Sequence, residues 1–171
     1  MSTITETVSI DTSPTRVSGA IAISAAVIAV VTSTLVSMLA LIFGILGILG
    51  VAAGVTIGSR AAVSFGIIGL VGGLIIGGLL GSPVMLVIIG MVGIIIAWDL
   101  GHHSIDLGEQ LGRSAPTIKG ELFHAGGSVL VGAIAAGIIY AVFMASPTEQ
   151  PISALIFIVL GAVFFAWVIR T

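Results

Sequence analysis

The sequence contains no cysteine and very few charged side chains. Only 5 Lys and Arg and 7 Asp and Glu occur among its 171 residues, which makes the chain 7% charged. Soluble domains contain about 25% charged residues, so a water-soluble fold would lack the groups that cover a surface. The absence of cysteine excludes disulfides, thiolate metal sites and cysteine nucleophiles. Five scattered cations form no basic patch, so binding to nucleic acid is not expected.

Apolar residues make up 58% of the chain, and residues 17–59 contain no charge at all. A helix of that length would span roughly 65 Å, whereas the hydrocarbon core of a bilayer is about 30 Å thick. The run therefore predicts two membrane helices rather than one. The most polar patch, Thr32 to Ser37, is the predicted turn between them, with Gly44 to Gly50 as the alternative because glycines also end helices.

The same reasoning along the whole chain predicts an all-α, polytopic membrane bundle of six helices. The predicted ranges are 17–36, 38–59, 61–80, 83–99 with an extension to about 112, 115–145 and 152–170. Residues 1–16 are polar and acidic, unlike the short basic start of a signal peptide. They are predicted to be a disordered tail ahead of a single domain, 17–171.

The positions of the five cations predict the orientation of these helices. With six spans, every Lys and Arg falls on the same side of the membrane, and such residues are retained in the cytoplasm. Both termini are therefore predicted to be cytoplasmic, and the 4–5 hairpin extends into the cytoplasm. The cations are Arg16, Arg60, Arg113, Lys119 and Arg170.

Glycine is abundant, with 24 residues, and recurs at intervals of four. This spacing places the glycines on one face of a helix, where another backbone can approach closely. The predicted role is packing within the bundle, and a homo-oligomer seam on the third helix is the alternative. The residues are Gly50, Gly54 and Gly58 on the second helix and Gly69, Gly73, Gly77 and Gly81 on the third.

The segment between the fourth and fifth helices is the only one rich in polar chemistry. The fourth helix is predicted to continue to Gly112 as a C-cap, and Ser114 and Pro116 to open the fifth helix. An antiparallel hairpin folded about Arg113 would bring His102 and His103 near His124. It would also place Glu109 near Lys119, and Asp106 level with Glu121.

This geometry predicts a polar cluster at the cytoplasmic mouth of the bundle. Its residues are Asp99, His102, His103, Asp106, Glu109, Arg113, Glu121 and His124. One interpretation is a solvated helix end whose charges pair across the hairpin. A proton path with histidine as the titrating group is the second. Metal binding is the third, because carboxylate-x-x-His pairs resemble di-iron bundle ligands; the candidates are His102, His103, Glu121 and His124.

The block from Ala97 to Gly132 resembles a recurring segment in small multi-pass membrane proteins of halophilic archaea, a family of unknown function. The matching residues are Trp98, Asp99, Gly108, Glu109, Gln110, Leu111, Gly112, Arg113, Glu121, Leu122 and His124. The resemblance implies an archaeal plasma membrane and no known activity.

The sequence favours a non-enzymatic membrane subunit or scaffold that docks a partner protein through the 99–124 hairpin. It predicts no cofactor, contact with the lipid bilayer, and either a protein partner or a second copy of the chain. The alternative is a small transporter or channel for a weakly polar solute or for protons. An integral-membrane metalloenzyme is a third hypothesis.

Overall fold

The computed structural model describes residues 11–33, 37–113 and 115–145, and the regular structure within these residues is entirely α-helical. Its five helices are α1 (Arg16–Ser33), α2 (Met38–Ile57), α3 (Arg60–Leu79), α4 (Val84–Leu111) and α5 (Ile118–Ala145). Each is long and apolar enough to cross a membrane. The protein is therefore an α-helical, multi-pass membrane protein. The predicted sixth helix, 152–170, lies outside the described residues.

Short turns with recognisable caps separate the helices. Ser37 caps α2 by accepting from the backbone N–H groups of Leu39 and Ala40, so the turn lies at the earlier of the two predicted positions. Gly112 follows α4 with φ 78°, and its N–H bonds to the Gly108 carbonyl, as predicted for a C-cap.

The predicted start of the fifth helix was wrong. The helix begins at Ile118 rather than at residue 115, and Pro116 lies before it. The Glu121 N–H bonds to the Thr117 carbonyl, and the Thr117 hydroxyl bonds to the Glu121 side chain. Thr117 thus occupies the position before the helix that was assigned to Ser114, a residue outside the described part of the chain, and its hydroxyl donates to Glu121.

One end of the bundle carries the charges. The α2–α3 turn, the start of α1 and the α4–α5 hairpin all meet there, because successive helices run in opposite directions. Arg60 Nη2 lies 2.6 Å from Asp106 Oδ1 across this end, and the Arg113 N–H bonds to the Asp11 carbonyl. We call it the charged end. It holds Arg16, Arg60, Arg113 and Lys119; Arg170 lies outside the described residues.

The core is built from α1 to α4, and α5 lies at its edge. Buried residues run along the whole of α4, from Val87 to Gly108, and pack against small residues of α1 such as Ala22 and Ala26. By contrast, α5 buries only Glu121 and Ala125 among its 28 residues. Within the described residues, α1 to α4 therefore leave most of the surface of α5 uncovered.

Glycines allow α2 and α3 to pack with their backbones in contact. A Cβ added to Gly50 would lie 2.6 Å from the Gly66 Cα, and one on Gly54 would lie 2.5 Å from the Val63 nitrogen. Further along, Gly69 and Gly73 face the α2 backbone, and Gly77 faces the carbonyl of Ser33 at the end of α1. Lipid tails are as apolar as leucine, so the hydrophobic effect does not drive helices together within a membrane. Close backbone contact of this kind stabilises their packing instead.

Two of the predicted packing glycines have another role. Gly58 and Gly81 lie in the turns that follow α2 and α3, with φ of 72° and 96°. A residue with a side chain is strained in this left-handed region. The turns, rather than helix packing, therefore require glycine at these two positions.

Substitution in the α2–α3 seam tests this packing. We expect Gly66→Ala to destabilise the protein by about 1–3 kcal/mol, because the new Cβ overlaps the Val51 nitrogen and lies 2.7 Å from the Gly47 carbonyl oxygen. The measurement is unfolding by sodium dodecyl sulfate in mixed micelles, followed by circular dichroism. The matched control is Gly126→Ala on α5, where an added Cβ meets nothing within 4 Å. Equal stability of the two variants would contradict the proposed seam.

Candidate functional site

Glu121 is a buried carboxylate at the junction of α5 and α1. Its side chain is in the first turn of α5, and the residue is 2% exposed. Oε2 accepts hydrogen bonds from the Thr15 hydroxyl (2.8 Å), the Ser18 hydroxyl (2.8 Å) and the Ser18 N–H (2.7 Å). Oε1 accepts a fourth bond from the Thr117 hydroxyl at 2.7 Å. Both oxygens are thus satisfied inside the protein.

This carboxylate caps α1 from another helix. The first N–H groups of a helix have no partner within it, and the helix dipole favours a negative charge beside them. Ser18 is the third residue of α1, so its N–H is one of these groups. Glu121 therefore joins the start of α5 to the start of α1.

The segment that precedes α1 is extended and bound to the hairpin. The Thr15 N–H bonds to the Ser104 carbonyl at 3.0 Å, and the Arg113 N–H bonds to the Asp11 carbonyl at 2.8 Å. A hydrogen bond from the Ser13 hydroxyl, with a second from its N–H, holds the pKa of the Asp11 carboxyl below its ordinary value. We call residues 11–15 the strap.

The strap differs from the disordered tail predicted for residues 1–16. Residues 11–15 are held by backbone hydrogen bonds to α4 and its C-terminal turn, and Arg16 already belongs to α1. Gly108 makes room for the strap, because a Cβ there would overlap the Ser13 carbonyl. Residues 1–10 lie outside the described part of the chain.

Asp99, His103, His124 and Ser128 form a second group on the α4–α5 interface. Asp99 Oδ2 lies 2.9 Å from His124 Nε2 and accepts a 2.7 Å bond from the Ser128 hydroxyl. The imidazole rings of His103 and His124 stack with their centroids 4.1 Å apart. The hairpin thus brings His103 to His124, whereas His102 bonds through Nδ1 to the Trp98 carbonyl on its own helix.

A third group lies on the surface between α3 and α4. Arg60 binds Asp106 at 2.6 Å and Glu109 at 2.8 and 2.9 Å. Glu109, which the hairpin geometry predicts near Lys119, forms its ion pair with Arg60 at the start of α3. All three side chains are more than two-fifths exposed, and such exposed pairs contribute little to stability.

The single polar cluster of the sequence prediction is therefore divided into three groups. Glu121 faces α1 and not the histidines, so it does not form a carboxylate-x-x-His site with His124. Among the described residues, no group of three or more His, Asp and Glu side chains is placed to hold a metal ion. The Asp99–His124 pair instead joins α4 to α5 through a hydrogen bond between a carboxylate and an imidazole.

Sequence reasoning missed the hydroxyl groups that make this arrangement. The hydroxyl groups of Thr15, Ser18 and Thr117 supply three of the four bonds to Glu121, and the hydroxyl of Ser128 donates to Asp99. A Thr at position 15 just before an apolar run is a helix-start signal. Thr15 and Ser18, however, lie more than 100 residues from Glu121 in the chain, so no local sequence pattern predicts their contact with it.

Two matched substitutions separate the buried carboxylate from the exposed one. We expect Glu121→Gln to destabilise the protein by about 2–3 kcal/mol, because the amide leaves one accepting oxygen for four donors. Glu109→Gln should cost less than about 1 kcal/mol. Unfolding in mixed micelles gives the free energies, and tryptic cleavage after Arg16 should accelerate only in Glu121→Gln, since the strap loosens. Equal effects of the two variants would contradict the capping role.

No curated protein and no solved structure matches the chain. A family profile matches residues 12–166, which include all of the strap except Asp11 and all five described helices. The chain belongs to this family, which is described as the family of unknown function DUF7519.

Proposed function

We propose that the protein is a non-enzymatic subunit of the plasma membrane that docks a partner protein through the α4–α5 hairpin. In this proposal residues 152–170 form a sixth span and both termini are cytoplasmic. The meeting of four cations at the charged end supports this orientation, because such residues are retained inside the cell. The resemblance of the 97–132 block to proteins of halophilic archaea supports an archaeal membrane.

The observation that carries the proposal is the contrast between the two long helices. Both α4 and α5 contain 28 residues, but α4 is buried along its length and α5 buries only Glu121 and Ala125. Glu121 and the Asp99–His124 pair fix the base of α5 to the bundle. The described helices thus hold a long apolar helix in a defined position and leave most of its surface uncovered by α1 to α4.

The first two turns of α5 present a surface suited to a protein partner. Phe123 is 88% exposed, and Ile118 and Leu122 are each more than half exposed. Lys119 shares the face of Phe123, because residues four apart lie above one another on a helix. A partner would therefore offer an apolar pocket for Phe123 and an acidic group for Lys119. Buried aromatic anchors of this kind dominate the energy of interfaces.

The distribution of buried polar groups argues against the transporter alternative. In the described residues, the buried polar side chains fall at the two ends of the bundle. Thr15, Ser18, His102, Ser104 and Glu121 lie at the charged end, and Thr32, Ser33 and Ser82 at the other. On α1, Ser18 and Thr32 are separated by roughly 20 Å of helix. Ala22, Ala25, Ala26 and Ala29 line that interval, so α1 carries no buried polar relay across it.

Site-specific photocrosslinking tests the docking surface. We expect a benzophenone amino acid at Phe123 to form a discrete protein–protein adduct in native membranes, because the partner covers this side chain. The matched control is the same substitution at Phe65, a 73% exposed phenylalanine near the charged end of α3. Adducts to lipid alone at both positions, or equal protein adducts at both, would contradict the proposal. An adduct of twice the chain mass would identify a second copy as the partner.

A further inference from the structure

A groove between α1, α2 and the hairpin combines two arginines with an apolar floor. Its volume is about 360 Å³, and it opens at the charged end beside Arg16 and Arg113. Thr15 and Thr56 also line it, and their hydroxyl groups donate to Glu121 and to backbone carbonyls of α2. Sites for small ligands have volumes of about 300–1,000 Å³, so the groove is large enough to hold part of an amphiphile.

The two arginines lack the neutralising partners that Arg60 has. Within the described residues, no carboxylate lies within salt-bridge distance of Arg16 or Arg113, whereas Arg60 pairs with two. Arg113 Nη1 bonds only to the Ser13 hydroxyl, at 2.8 Å. The Asp11 carboxylate interacts with both arginines at longer range and is bonded to Ser13. Asp11 offsets part of the charge of the two arginines, while the Glu121 carboxylate is bonded to Thr15, Ser18 and Thr117.

The floor of the groove becomes apolar towards the middle of the membrane. Gly19, Ala20 and Ile23 follow Arg16 along one face of α1 at intervals of three and four residues. Val55 of α2 closes the other side, and a Cβ on Gly19 would overlap its side chain. From Arg16 to Ile23 the groove extends roughly 10 Å along the helix. Charge at the mouth and apolar contact below it match the polarity of a membrane lipid.

We propose that this groove binds an anionic phospholipid from the leaflet at the charged end. The lipid phosphate lies between Arg16 and Arg113, whose guanidinium groups match phosphate geometry, and one acyl chain lies along Ala20 and Ile23. Basic pockets between transmembrane helices are established sites for anionic headgroups. The strap, which positions Arg113 through Ser13, forms one wall of the site. Bound lipid thus joins the strap, α1 and the hairpin.

Lipid selectivity measured by electron paramagnetic resonance tests the proposal on the full chain. The protein is reconstituted in phosphatidylcholine vesicles that contain spin-labelled phosphatidylglycerol or spin-labelled phosphatidylcholine. We expect a motionally restricted population that prefers phosphatidylglycerol. Replacing either arginine by glutamine should weaken the preference about fivefold, the equivalent of about 1 kcal/mol for each cation near the surface.

Two further variants separate the groove from general surface charge. Lys119→Gln removes a cation from the same end without altering the groove, and it should leave the preference unchanged. Ala20→Phe keeps both arginines but fills the apolar floor, and it should abolish the preference. Circular dichroism confirms that each variant is folded. Equal losses in Arg16→Gln and Lys119→Gln would overturn the proposal.

The same vesicles test whether the groove binds the phosphate of a lipid headgroup or free inorganic phosphate. Inorganic phosphate at millimolar concentration should not displace the restricted lipid, because it lacks the acyl chain that contacts Ala20 and Ile23. Displacement by phosphate, together with normal selectivity in Ala20→Phe, would show a simple anion site and would overturn the proposal. Neither outcome depends on Phe123, so the docking surface is tested separately.

Discussion

The fold depends on one buried carboxylate that joins the start of α5 to the start of α1. Glu121 accepts four hydrogen bonds from Thr15, Ser18 and Thr117 and is almost inaccessible to water. An unpaired charge in such surroundings would be very costly. Here the donors and the helix dipole offset that cost. Because α5 has few other buried contacts, this carboxylate and the Asp99–His124 pair decide where α5 lies.

The division between polar ends and an apolar middle explains the functional proposals. Between the ends, α1 to α4 pack through small and aliphatic side chains and glycine, so the buried centre of the described bundle is apolar. Among the described residues, the buried polar side chains are therefore confined to the two ends of the bundle. At the charged end lie two surfaces, the exposed start of α5 and the groove beside Arg16. The first is suited to a protein partner and the second to a lipid.

Much of the architecture could be predicted because hydropathy, turns and caps are local signals. The turn before Met38 and the extension of α4 to Gly112 were both predicted. The approach of His103 to His124 follows from the antiparallel hairpin, whereas the stacking of their rings was not predicted. The start of α5 was misplaced, because Pro116 is acceptable both in a first helical turn and just before one. Arg60 as the partner of Glu109, and Thr15 and Ser18 as partners of Glu121, could not be predicted because they come from other parts of the chain.

The sequence by itself determined the class of protein, the position of the membrane helices and the collection of charge at one end. These properties follow from the cost of placing charged and unpaired polar groups in hydrocarbon, which depends on composition along the chain. Only the tertiary structure decided how the polar residues are shared among three groups. Helix rotation and the path of residues 11–15 select each partner, and both result from packing between segments up to about a hundred residues apart.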